Sequence, residues 1–284
     1  MMVSLIVFLG MAFADVGHPP VQKNCYPSRK INLLGIFQPP EMVSTDQRDL
    51  IFRKLQDAYA QEIAAEGGQL RIFETANMDF GAWAQRLNGE YQVEVWKGVR
   101  FHKMMTADAF ALILCHEIGH HMGGLPKMTL HPWVSVEGQA DYFAALKCFK
   151  RYLEREPTVG QPVDLMDRCS ATYSHPYDIQ LCARSLNAGR TLGAILADLK
   201  GWSPSDFPRL ELSDENVVDQ TNDYHPKPQC RLDTYRAGAL CPVPWSRALD
   251  PMDPNVGTCQ LERPPQGRPR CWYAPGSTAL ADTR

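Results

Sequence analysis

An apolar run, Phe110-Ala111-Leu112-Ile113-Leu114, leads without a break into Cys115-His116-Glu117-Ile118-Gly119-His120-His121. A helix apolar on every side belongs in a core, where polar groups must be paired or must bind something. His116 and His120 stand four residues apart, so they share one helical face and can turn two imidazoles toward one ion. Glu117 lies beside them, within reach of a water on that ion. This is the HExxH spacing of zinc sites. The helix is expected from about Thr106 to Met122, stopping at Gly123-Gly124 with Pro126 beyond.

A catalytic zinc takes three protein ligands and keeps one position open. One arrangement places a third His six residues after the second, with Gly halfway. Gly123 fits it, but Pro126 occupies the ligand position and cannot bind a metal. Another takes a carboxylate from the next helix. Glu137-Gly138-Gln139-Ala140-Asp141 supplies Glu137, with 16 residues between it and His120. Asp141 follows one turn later, where its carboxylate can accept the outer N–H of a ligand imidazole. His131 and His121 remain as further candidates for the third ligand.

The surrounding chain reads as α+β and mostly helical. Ser44 and Gln47 have capping-box spacing at the head of a helix that carries Leu50, Ile51, Leu55, Ala58, Tyr59 and Ile63 and ends at Gly67-Gly68. Strands are expected at Gln69 to Glu74 and Gln92 to Trp96, which are rich in branched and aromatic residues. Further helices are expected from near Ser135 to about Glu154, between Tyr177 and Lys200, and near Leu232 to Leu240. From Pro242 the texture changes: eight prolines fall among the last 43 residues and periodicity fades, as in an irregular tail laid on the core. The reading is therefore a signal segment at 1–14, one domain at 15–241 and a Pro/Cys-rich tail at 242–284.

Export is argued by two features. Val3 to Ala12 is apolar apart from Ser4 and Gly10, and Ala12-Phe13-Ala14 is a small-x-small cleavage pattern. Nine cysteines occur without any CxxC pair, so eight of them can form four disulfides in an oxidising compartment. Cys230–Cys241, Cys259–Cys271 and Cys169–Cys182 are the local pairs expected, with Cys115 left as a buried thiol. The net charge of -3, with no basic run, argues against a nucleic-acid partner. No later segment reaches the ~20 apolar residues of a membrane span, so no stable span is expected after signal cleavage. The expected location is periplasmic or secreted.

HEIGHH followed by EGQADYFAALK resembles the HtpX-like and CAAX-prenyl-endopeptidase family of gluzincin zinc peptidases. Members of that family carry HExxH and a later E-x-x-A-D whose Glu binds zinc. His225-Pro226, with Arg231-Leu232 after it, is similar to the family's downstream His-Pro segment with Arg six residues after the His. The resemblance covers Thr106 to Tyr235. It implies a zincin-type metallopeptidase fold with an edge strand above the active-site helix, and one Zn2+ per chain held by His116, His120 and Glu137. It also implies an endopeptidase acting on polypeptides, here exported or envelope proteins, with Glu117 as general base. His225 is the candidate oxyanion donor, or alternatively a fourth metal ligand that holds the enzyme inactive. Arg231 is a candidate partner for a carboxylate such as Asp141. Gln92 to Trp96 is the expected open edge for substrate. The alternative reading is a non-catalytic or latent zinc-binding module, chaperone-like or inhibitory, that keeps the fold.

Overall fold

The computed structural model describes residues 40–154, 160–260 and 265–276. The expected signal segment and Cys25 lie outside the described residues.

Helix α1 (Thr45–Ala65) begins at the capping box, where Ser44 Oγ accepts from the Gln47 amide and Gln47 Oε1 from the Ser44 amide. Its buried residues Ile51, Phe52, Leu55, Tyr59 and Ile63 recur at helical spacing on the face it turns to the core. Gly67, at φ 79°, then reverses the chain into strand β1 (Gln69–Thr75), a backbone conformation that suits glycine. Strands β2 (Ala82–Leu87) and β3 (Glu90–Trp96) form a hairpin through Asn88 and Gly89, both at positive φ. β3 pairs parallel to β1 and antiparallel to β2, giving the order β1-β3-β2. Gln92 to Trp96 therefore lies in the middle of the sheet. The edge expected there belongs instead to β1 and β2, because β1 pairs along one side of β3 and the Asn88-Gly89 turn folds β2 back along the other.

Helix α2 (Ala107–Met122) starts where Thr106 Oγ1 accepts from the Ala109 amide, 3.1 Å away. Residues 109–121 are all buried, as the apolar run requires. A short hairpin, β4 (Lys127–Met128) and β5 (His131–Ser135), leads into α3 (Glu137–Phe143). That helix widens through a π-helical turn at Ala144–Cys148 and ends as α4 (Phe149–Tyr152). α5 (Val163–Ser170), α6 (Pro176–Leu199) and α7 (Pro228–Leu240) complete the helical layer. Residues 242–260 and 265–276 form neither helix nor strand. Even so, Trp272 is completely buried, in a cluster with Val136, Tyr142 and Leu146. None of the described helices is long and apolar enough to cross a membrane.

Four disulfides tie these elements, in keeping with an oxidising compartment, and only Cys169–Cys182 follows the expected pairing. Cys115 is bonded to Cys148, joining α2 to the π-helical turn packed against it; it is not a thiol. Cys230 pairs with Cys271 and Cys241 with Cys259. The expected Cys230–Cys241 pair fails on helix geometry: both ends of α7 carry one, and eleven residues at 1.5 Å each set them about 16 Å apart. Each reaches into the tail instead.

Gly119 sets how closely α2 and α3 approach. A Cβ there would lie 2.9 Å from both the Cα and the carbonyl oxygen of Ala140. Gly119→Ala is expected to cost about 1–3 kcal/mol in chemical unfolding, the usual range for overpacking. Stability equal to wild type would show that the helices are not in this contact.

Candidate metal centre

The two helices that meet at Gly119 carry the site. α2 presents His116, Glu117 and His120, and α3 presents Glu137 at its first turn and Asp141 one turn on. None of these five is more than 3 % exposed. His116, Glu117 and His120 each offer a ligand atom, all within 4.8 Å of one another. The His116 and His120 Nε2 atoms are 3.2 Å apart. Glu137 Oε2 lies 3.3 Å from His116 Nε2, and Oε1 3.8 Å from His120 Nε2. Donors at ~2.0–2.1 Å around a tetrahedral zinc are about 3.4 Å from each other. The three side chains already stand close to that separation.

The remaining nitrogen of each ring is fixed from outside. His116 Nδ1 is 2.7 Å from Asp141 Oδ1, and His120 Nδ1 is 2.8 Å from the Ser135 carbonyl. Both partners are acceptors, which assigns a proton to each Nδ1 and turns each Nε2 inward as a lone-pair donor. Glu137 Oε2 is buried and makes no well-directed hydrogen bond. Inward nitrogens and an orphaned carboxylate oxygen at this spacing fit a bound cation. The nitrogen-and-oxygen set suits zinc among common biological ions.

Charge supports the same conclusion. Three buried carboxylates (Glu117, Glu137 and Asp141) share this cluster with one buried guanidinium, Arg231, which pairs with Asp141. Carboxylates outnumber the guanidinium, so the cluster draws positive charge, whether on an imidazole or as a bound cation. The titration behaviour follows. Burial lowers the His116 pKa, but Asp141 and then Glu137 outweigh it and raise it to about 9. Burial dominates at His120 and lowers it to about 4. Glu137 is pushed far below the ordinary carboxylate range: burial acts the other way, and the surrounding imidazoles overcome it.

Asp141 is itself held on three sides. Arg231 grips both its oxygens, with Nε and Nη2 each at 2.7 Å, and Tyr235 donates its hydroxyl to Oδ1 at 2.5 Å. Arg231 and Tyr235 are one turn apart on α7 and share a face. His225, in the loop before α7, places Nε2 3.4 Å from Glu137 Oε1 and stays partly exposed. Burial lowers its pKa, with Glu137 acting against the shift. All seven residues singled out from the sequence thus lie in one cluster.

The other two candidates for the third ligand lie elsewhere. His121 hydrogen-bonds through Nε2 to the Gln92 carbonyl and stacks on Trp133, and His131 sits in β5 opposite Met128. Asp214, Cys230 and Cys271 also come together, but the two cysteines are disulfide-bonded and cannot serve a metal. Tyr235 and Ser135 were not foreseen. Tyr235 was detectable as the residue one turn after Arg231, whereas Ser135 acts through its backbone, which sequence does not mark.

No family model matches the chain, and no curated protein or solved structure does either.

Asp141→Asn keeps the shape but weakens the charge on the His116 Nδ1 side. Zinc affinity, measured against a chromophoric chelator, is expected to fall about 10–100-fold. Unchanged affinity would separate Asp141 from the metal site.

Proposed function

We propose that this chain is an exported zinc endopeptidase of the gluzincin type, with a zincin-like fold and a likeness to the HtpX-like and CAAX-prenyl-endopeptidase group. The observation that carries the reading is the convergence of His116 Nε2, His120 Nε2 and the Glu137 carboxylate, with Glu117 beside them. A purely structural zinc site has no need of a further carboxylate and is commonly rich in Cys.

His116, His120 and Glu137 would hold the ion. Bound there, zinc supplies Lewis acidity, lowering the pKa of a water toward ~7 and polarising a peptide carbonyl. Glu117 takes the proton from the attacking water and hands it to the leaving amine. His225 donates to the oxyanion as it forms. Asp141, gripped by Arg231 and Tyr235, keeps His116 in the tautomer that leaves Nε2 facing inward. Strand β2, at the edge of the sheet and packed on α2, is the position for an extended substrate to add by main-chain hydrogen bonds.

A second reading, a latent or non-catalytic zinc module, has one observation in its favour. The proposed ligands are deeply buried and His225 already faces Glu137, where it would complete a closed four-donor site.

The experiment compares wild type, Glu117→Gln and His225→Ala for bound zinc and for cleavage of an unfolded protein. Glu117→Gln is expected to keep one zinc per chain and to lose at least about a hundredfold in turnover, as loss of a general base does. His225→Ala is expected to lower kcat; a rise would establish the latent reading. Zinc binding with no cleavage in any form would refute the peptidase.

A further inference from the structure

Beside the metal centre lies a cavity of about 840 Å³, bounded by the C-terminal ends of α1 and α2, by β2, by the β4–β5 hairpin, by Phe143, Lys147 and Arg151 of α3 and its continuation, and by residues 245–251 of the tail. One residue separates the two places. The Ser135 carbonyl holds His120 Nδ1, while the Ser135 hydroxyl accepts from Lys127 Nζ at 3.2 Å, and Lys127 lines the cavity.

The cavity wall holds two ammonium groups, Lys127 and Lys147, whose hydrogen bonds all go to neutral acceptors. Lys127 Nζ donates to the Trp133 carbonyl and the Ser135 hydroxyl, and Lys147 Nζ to the carbonyls of Pro244 and Arg247. All four acceptors are neutral, and each ammonium keeps a third N–H. Burial lowers both to about 8, so each stays mostly charged at neutral pH. Arg86 lies over the Tyr91 ring at 3.9 Å and faces the Trp133 ring at 5.1 Å. Its Nε is buried without a hydrogen-bond partner. The acidic residues of the wall are engaged away from the two lysines: Glu62 takes Arg151, Glu66 takes the Tyr91 hydroxyl and pairs with Arg86 at 3.7 Å, and Asp250 accepts two backbone amides. Trp133 and Trp245 add apolar surface.

We propose that this cavity binds a carboxylate carried on an apolar body, in the form of an acidic segment of polypeptide flanked by large apolar side chains. Lys127 and Lys147 receive the charge, and the two tryptophans receive the neighbouring side chains. Its position, at the end of α2 and next to β2, makes it a subsite that selects acidic substrates. That assignment rests on the peptidase reading, whereas the binding itself does not.

The test is calorimetric titration of the full-length mature, zinc-loaded Glu117→Gln protein, which binds without turnover. The probes are an end-blocked hexapeptide of Glu and Phe, the same peptide with Gln for Glu, and N-acetylphenylalanine as a free carboxylic acid. The Glu peptide is expected to bind at least about tenfold more tightly than the Gln peptide, the scale of a charge-assisted hydrogen bond. Adding Lys127→Met or Lys147→Met should erase that ratio while bound zinc is unchanged. Equal affinity for the two peptides overturns the proposal without any lysine variant, as does a ratio that survives both lysine changes. Binding of N-acetylphenylalanine alone overturns the peptide as occupant in favour of a small carboxylic acid. Because none of these readouts is cleavage, a failed peptidase reading and a failed subsite remain distinguishable.

Discussion

Burying Glu117, Glu137 and Asp141 around a single guanidinium is the constraint on which the rest of this structure depends. A buried carboxylate costs several kcal/mol unless positive charge or hydrogen bonds answer it, and the three carboxylates outnumber the guanidinium. The arrangement becomes reasonable once a divalent cation is part of the fold. Arg231 neutralises Asp141, the carboxylate that orients His116, and leaves Glu137 and Glu117 facing the position where the two imidazoles converge. One guanidinium thereby divides the carboxylates into a structural one and two turned to the metal position.

The scaffold keeps these groups in register. α2 and α3 come within backbone contact at Gly119, and Cys115–Cys148 fastens α2 to the continuation of α3. The tail braces the same region from outside. Trp272 fills the space over Gly138, where a Cβ would lie 2.1 Å from its ring, and donates its indole N–H to Thr234 on α7. Arg268 donates to Gln139. The tail also runs along the loop that carries His225, with the Val218 amide on the Arg270 carbonyl and the Asn222 amide on the Trp272 carbonyl. Elements far apart in sequence thus converge on the groups around Glu137.

What the sequence disclosed, and what it hid, follows the range of the interactions. Both helices of the site were legible, because HExxH and E-x-x-A-D are local patterns with a fixed helical phase. That Asp141 would hold the outer N–H of a ligand imidazole was legible for the same reason, though not that the ring is His116. The Ser44 capping box likewise acts within one turn. Strand order was not legible: Asn88-Gly89 marks a hairpin turn, but the parallel pairing of β1 with β3 joins strands that no local pattern links. Cys169–Cys182, a short local pair, was legible, and the other three disulfides were not, for a similar reason. Short spacing suggested Cys230–Cys241, but α7 turns that spacing into a rigid separation. Cys115–Cys148 joins residues whose nearness exists only once α2 and α3 have packed. The cavity beside Ser135 has no sequence signature, since its wall is assembled from segments far apart in the chain.

The most direct test of the central claim is to locate the metal. Crystals of the zinc-loaded protein, measured on both sides of the zinc absorption edge, should show one anomalous peak per chain. It is predicted about 2.0–2.1 Å from His116 Nε2 and His120 Nε2 and about 2.0–2.2 Å from a Glu137 oxygen. A peak elsewhere, or none in protein shown to be saturated with zinc, would contradict the account.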